Sequence, residues 1–371
     1  MTDLCVRMCE MVRKVIISVV ALLLSFSALA QSERLYLDTK FNFDFDNFDH
    51  TDYMKGELDK GTTLFGVTLA PVLRYEWSEK HNLAVGVNAQ KMFGSEHFLD
   101  DINLIAYYQF ESEKYGAFAG LFRRENLLGR YSEAFFSNAW LADNRVVQGF
   151  ALQYHDKIGF AELAIDWNGM YSAERREQFR FLFSGEGRFA KIIYAGVSAE
   201  VQHYANRPDI HFNVVDRATV NPYLGVNFNA FFDFDIRLGY LQTLQRNRMA
   251  GKSWQTPMGG EFYFRMSRWG VFISNNLYAG KNLLPLFHSV GKEGTIYGTD
   301  LYALDLFYGT TSGIYNRTGI GYERNFWKER IKVKAEMVLK TDGKRLYTQQ
   351  IVALGVNLAP KLYDKANKKT K

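Results

Sequence analysis

Between Phe65 and Trp77 the odd positions read Phe65, Val67, Leu69, Pro71, Leu73, Tyr75 and Trp77. The even positions read Gly66, Thr68, Ala70, Val72, Arg74 and Glu76. Successive side chains of a strand point to opposite faces, so this period of two describes a strand with one greasy face and one small or charged face. The same dyad recurs along the chain. Phe41, Phe43 and Phe45 alternate with Asn42, Asp44 and Asp46, Leu163, Ile165 and Trp167 with Glu162, Ala164 and Asp166, and Val333, Ala335 and Met337 with Lys332, Lys334 and Glu336. Segments of about ten residues with this alternation, joined by connections that are alternately short and long, are the signature of a transmembrane β-barrel.

Sixteen such segments run from Leu35–Asp46 to Leu346–Leu358. The pattern predicts an all-β, antiparallel, up-and-down barrel spanning residues 31–358, with fourteen and eighteen as the neighbouring even strand counts. Leu301–Phe307 reads as a further short strand, but an even count with both termini in the periplasm places it in a long outer loop. A soluble sandwich, with the apolar rows meeting in a dry core, is the competing architecture.

The first thirty residues carry different information. Arg13 and Lys14 precede an apolar run from Val15 to Phe26, and Ser27-Ala28-Leu29-Ala30 follows. This predicts a secretory leader over residues 1–30, cleaved after Ala30, with Met11 as an alternative start. An uncleaved anchor is the other reading, disfavoured because the run is short for a bilayer span. Gln31 rather than cysteine at the cleavage point argues against lipidation. Both cysteines, Cys5 and Cys9, precede the cleavage point, so the exported chain has neither a disulfide framework nor a cysteine metal site.

Composition narrows the class further. Of 371 residues, 47% are hydrophobic, 16% aromatic and 23% charged, with 30 Phe, 22 Tyr and a formal net charge of +5. That balance excludes a disordered chain, and the charge is too small and scattered for a nucleic-acid partner. Trp77, Trp269 and Trp327 fall at short connections, while Trp140, Trp167 and Trp254 fall at or beyond the other strand ends. Indole rings favour membrane interfaces, so these residues are expected to mark the two rims.

The stretch from Glu125 to Trp140, with Asp166-Trp167-Asn168-Gly169-Met170 and Arg176-Glu177-Gln178-Phe179, resembles uncharacterised porin-like outer-membrane barrel proteins of Bacteroides-type bacteria. The resemblance implies a bacterial outer-membrane location and a barrel architecture, and brings no catalytic residues with it. Such chains commonly end on an aromatic at the last strand. This one ends its strand at Leu358 and adds the basic stretch 359–371, expected to be a solvated periplasmic tail.

Enzyme signatures are absent. There is no Gly-x-Ser-x-Gly and no His-Glu-x-x-His, and Gly251-Lys252-Ser253 lacks the upstream glycine of a phosphate loop. The histidines, His50, His81, His97, His155, His203, His211 and His288, are scattered. The expectation is a protein without enzymatic activity, cofactor or bound metal. Asp44, Asp46, Asp49 and Asp52 offer hard oxygens for calcium, but without EF-hand spacing, so a hydrogen-bonded loop is the preferred reading.

By strand parity the lumen is lined by Arg74, Arg180, Arg237, Lys332 and Lys334, and by Glu76, Glu162, Asp166, Glu200, Asp235, Glu261 and Glu336. Mixed signs argue against a one-sign ion filter. They suit either a weakly selective channel for small polar solutes or a barrel closed by internal ion pairs. The long connection 280–311 carries Leu284, Pro285 and Phe287, then Leu301, Leu304 and Phe307. It is too apolar for water and is expected to constrict the lumen or to pack on a neighbouring protomer in a homo-oligomer. Arg123, Arg124, Arg130, Arg246, Arg248 and Lys252 are expected at the outer rim, facing lipopolysaccharide phosphates. The reading that follows is passive diffusion of small polar solutes. A structural or assembly component of the envelope, or an outer-membrane enzyme on lipid or peptide, is the alternative.

Overall fold

The computed structural model describes residues 33–49, 62–173, 175–205, 214–249, 253–288, 297–309, 313–344 and 346–365. The expected leader 1–30, Asp52, His50, His211, Lys252 and residues 366–371 lie outside the described residues.

Seventeen strands are present among the described residues: β1 (Glu33–Asp49), β2 (Thr62–Glu76), β3 (His81–Met92), β4 (Asp101–Glu111), β5 (Tyr115–Arg123), β6 (Val146–His155), β7 (Gly159–Gly169), β8 (Gln178–Arg188), β9 (Ile193–Tyr204), β10 (Val215–Asn229), β11 (Asp233–Asn247), β12 (Met258–Arg268), β13 (Val271–Gly280), β14 (Ile314–Phe326), β15 (Ile331–Thr341), β16 (Leu346–Leu358) and β17 (Lys361–Lys365). Strands β1 to β16 each pair antiparallel with the next, and β16 pairs back onto β1 with Phe41↔Val356 and Phe45↔Val352 in register. The sheet is therefore a closed sixteen-stranded barrel.

The strand alternation separates two surfaces. Leu69, Leu73, Leu163, Phe181, Phe183 and Leu224 are exposed on the outside, while Thr68, Ala70, Glu162, Leu182 and Ser184 beside them are buried. A dry sandwich would bury the first set instead. Closure leaves no open sheet edge in hydrocarbon, where an unpaired N–H or C=O costs several kcal/mol. No helix of the described residues is long and apolar enough to cross a membrane, and the crossing elements are strands.

Local sequence explains the irregularities in the ladder. Pro71 and Pro222 lie inside strands and have no N–H to donate. The β2–β3 pairing steps from Leu69↔Ala89 to Val72↔Gly86, and the β10–β11 pairing from Val220↔Gln242 to Tyr223↔Gly239. Gly86 lets β3 close on the break, since a Cβ there would lie 2.2 Å from the Pro71 carbonyl oxygen. Arg268 and Val271 pair across a two-residue turn whose Trp269 and Gly270 have φ of 54° and 93°, the left-handed pair that a tight hairpin requires. In the β6–β7 turn, Tyr154 and the N–H groups of Ile158 and Gly159 donate to Asp156 and hold its carboxyl below the usual range.

The chain after Leu358 is exposed as far as Lys365 and contains a short strand. Past Ala359-Pro360, β17 pairs with the start of β1, Glu33↔Lys365 through Leu35↔Tyr363. Arg34 faces Asp364 at 3.6 Å, and Lys365 faces Glu33 at 3.7 Å. The alternation of Leu362 with charged neighbours is too short to read as a strand alone, and the free edge of β1 below β16 supplies its partner.

Candidate functional site: a charged lumen packed by two inward loops

Two long connections fold into the barrel. The first, residues 124–145 between β5 and β6, contains α1 (Asn138–Asp143), capped by Ser137 Oγ accepting from Trp140 N at 3.1 Å. The second, between β13 and β14, contains α2 (Gly298–Leu301) and a tight turn at Leu306–Gly309 among its described residues 281–288, 297–309 and 313. They are joined to each other by backbone hydrogen bonds from Ser137 N to Ala303 O at 2.7 Å and from Asp305 N to Glu133 O at 2.8 Å. Ala134, Phe135, Leu283, Leu301 and Tyr308 are each 0% exposed and form one apolar cluster with Phe122, Leu182, Leu241 and Tyr315 of the wall.

Of the segment expected to constrict the lumen, Leu284, Phe287, Leu301, Leu304 and Phe307 are buried in this cluster and Pro285 is half-buried. Leu301–Phe307 is not a strand but part of this inward loop. The first loop, which as a long connection is expected on the outside, also folds inward. Its Leu127, Leu128, Ala134, Phe135, Phe136, Trp140 and Leu141 make it as apolar as the second, and the same solubility argument applied there would have found it. Trp140 is consequently not interfacial. It stacks on Phe136 inside the barrel at a centroid distance of 4.9 Å, with the Arg180 guanidinium 5.1 Å from its ring centroid. Arg124 and Arg130 are not at the outer rim either. Arg124 is buried against Asp166, and Arg130 reaches Glu186 of β8 at 3.3 Å.

The polar wall residues anchor the loops. Glu162 accepts from Leu128 N at 2.5 Å, Gly129 N at 3.1 Å and Gln153 Nε2 at 2.8 Å. Glu200 takes Arg180 on one oxygen and Arg217 on the other, the latter at 2.6 Å, and all three side chains are about fully buried. Glu261 accepts from Tyr308 Oη at 2.7 Å and from Asn276 at 3.1 Å. Arg317 bridges Glu133 of the first loop and Glu336 of β15, both at 3.1 Å, and Lys334 adds to Glu336 at 2.8 Å. Lys340 holds Asp305 at 2.6 Å, and Tyr302 Oη donates to Gln245 at 3.0 Å. Arg217, Arg317, Lys340 and Gln245 carry as much of this network as the residues singled out by parity.

Other lumen-side residues lie nearer the short-turn end. Arg74 pairs with Asp38 at 2.6 Å and with Glu76, Arg237 sits 4.0 Å over the Tyr263 ring with Asp235 4.0 Å away, and Lys332 pairs with Glu323 at 2.7 Å. Trp77 follows β2 at a short turn, and Trp269 and Trp327 are exposed in short turns. Trp167 and Trp254 are half-exposed at the long-loop end. Of the aspartates considered for calcium, Asp44 pairs with Arg145 at 2.9 Å and Asp46 accepts from Gln349 at 2.6 Å. No group of three or more His, Cys, Asp or Glu suited to a metal is found among the described residues.

One flank of the packed lumen is looser. Three cavities, of about 680, 260 and 290 Å³, follow one another along the inward, even-numbered side chains of β1, at Asp46 and Phe48, at Asp44 and Asp46, and at Asp38 and Lys40. Between the last two, Lys40 pairs with Glu125 and Arg123 donates to Ala70 O at 2.9 Å. Arg145 to Asp44 and Lys40 to Glu125 are the ion pairs that tie the first loop to β1, and both are partly solvated.

A closed sheet with an apolar outer band and a polar, ion-paired interior defines a bacterial outer-membrane β-barrel. Residues 30–267 match the model of the lipid A 3'-O-deacylase-type family, and the chain belongs to that family. The match takes in the first inward loop and ends before the second. Among solved structures, the chain is similar to Pseudomonas aeruginosa OpdO, with 11% identity over 89% of this chain and 98% of that one and a TM-score of 0.48. It is also similar to Acinetobacter baumannii OccAB3 (9% identity, 88% and 99%, TM-score 0.47) and to a mutant of the Rh. blastica porin (11%, 87% and 100%, TM-score 0.43). No curated protein sequence matches it.

Proposed function

We propose that the protein is a loop-constricted outer-membrane channel for passive diffusion of small polar solutes, with its path along the inner face of β1. The observation that carries this reading is the succession of three cavities along Asp46, Asp44 and Lys40. On this flank the first loop is tied to β1 by two partly solvated ion pairs, which cost little to open. Mixed charges on the path, Asp38, Lys40, Asp44 and Arg145, fit weak ion selectivity. The test is single-channel recording in a planar bilayer. The expected result is a small conductance that rises when Arg145→Ala and Glu125→Ala are combined. A membrane as silent with both variants as without protein sinks the proposal.

A second reading, ester hydrolysis of outer-leaflet lipid, draws on the family description and on one cluster. On the outward face at the long-loop end, His203 Nδ1 lies 3.2 Å from Asp216, which also receives Arg248 at 2.6 Å and Arg246 at 3.3 Å. An imidazole oriented by a carboxylate is the form of a general base, and two guanidiniums beside it suit a lipid phosphate. The measurement is release of fatty acid from lipid A in detergent. This reading expects release that His203→Ala abolishes, and no release from the unaltered protein ends it.

A further inference from the structure

A cavity of about 680 Å³ at the long-loop end has Arg176 and Asp143 on its lining, neither of them in an ion pair among the described residues. Arg176 lines it from the β7–β8 connection. Both terminal guanidinium nitrogens are buried and have no hydrogen-bond acceptor among the described residues. The guanidinium carbon sits 5.2 Å from the centroid of the Tyr204 ring, which fixes the plane of the fork. A buried guanidinium without an acceptor forfeits its hydration, so this one is arranged for a bidentate oxyanion such as a carboxylate. Asp143 of α1 lines the same cavity. It differs from Asp305, which Lys340 neutralises, and from Asp46, which Gln349 satisfies.

The rest of the lining is amphipathic. Trp140, Tyr302 and Phe307 provide apolar faces, and Asn138 provides an amide donor and acceptor. Side-chain amides of this kind match a peptide backbone, which offers one donor and one acceptor per residue. A sphere of that volume is roughly 11 Å across, the span of about three extended residues.

We propose that this vestibule is a binding site for short zwitterionic peptides of two or three residues, with the C-terminal carboxylate on Arg176 and the N-terminal ammonium toward Asp143. The proposal deepens the channel reading by naming its solute class, and rests on that reading for its biological meaning. A free amino acid leaves most of the cavity empty. A neutral sugar leaves the guanidinium without its counter-charge.

The test is titration of the full-length, detergent-solubilised protein with tri-alanine, followed by calorimetry and by the fluorescence of the tryptophans, which include Trp140 in the wall. Saturable binding is expected, weakened at least about tenfold by Arg176→Gln and by C-terminal amidation of the probe, the scale of one charge-assisted contact. N-terminal acetylation and Asp143→Asn are expected to act in the same direction and not to add to each other. Unboiled mobility in a denaturing gel verifies that each variant remains folded. Amidated and free tri-alanine binding alike, or Arg176→Gln binding like the unaltered protein, overturns the proposal, as does the absence of binding. Since no membrane is involved, binding without bilayer conductance removes the channel reading and leaves the site standing. Conductance without binding does the reverse.

Discussion

Replacing Glu200 with alanine is expected to lower the unfolding free energy by about 3–5 kcal/mol, the scale seen when one member of a buried ion group is removed. Arg180 and Arg217 converge on its two oxygens, and each guanidinium is about 1% exposed. Without the carboxylate, two like charges share a water-poor site. They also support the loops from beneath, since Arg180 lies 5.1 Å from the Trp140 ring centroid and Arg217 lies 5.7 Å from that of Tyr302. The variant is therefore expected to loosen both inward loops as well as the wall. Urea titration of the folded protein in detergent, read by tryptophan fluorescence and by gel mobility, checks this. Lys332→Ala, at a partly solvated pair, is the matched control and is expected to stay within about 0.5 kcal/mol. Equal midpoints for the two variants contradict the account.

Excising residues 282–309 and joining the ends by a short Gly-Ser turn is expected to give the largest functional change, a several-fold rise in single-channel conductance. The ends already meet, with Gly280 N donating to Gly313 O at 2.8 Å, and no wall pairing passes through the described residues of the excised segment. Excision uncovers the wall's Gln202, Gln245, Glu261, Asn276 and Lys340, which water can solvate, together with apolar wall side chains such as Leu241 and Tyr315. A barrel of sixteen strands leaves an aqueous channel when nothing fills it. A folded variant whose conductance matches that of the unaltered protein shows that the second loop does not limit flow.

The barrel was legible because its signal is local. The parity of Phe41, Phe43 and Phe45 against Asn42, Asp44 and Asp46 is contained in six residues, and closure follows from repeating it. The packing of the lumen depends on which residues meet across the cylinder. Arg145 and Asp44 are 101 positions apart in the chain, and Tyr315 and Glu133 are 182 apart. Nothing near Arg124 in the sequence announces that its partner is Asp166 rather than a lipid phosphate. Arg176 was legible only as part of a resemblance, since its significance lies in what surrounds it and leaves it unpaired.

The pairing of β17 with β1 gives the molecule a seam made from its two extremities. Residues 33–49 and 346–365 lie at opposite ends of the described chain, yet the cylinder is shut only where they join, along β16 and along β17. Without that join the strands form a curved sheet with two raw edges and an apolar outer surface. Closure of the cylinder therefore depends on residues 346–365, the partners of β1 along its second edge.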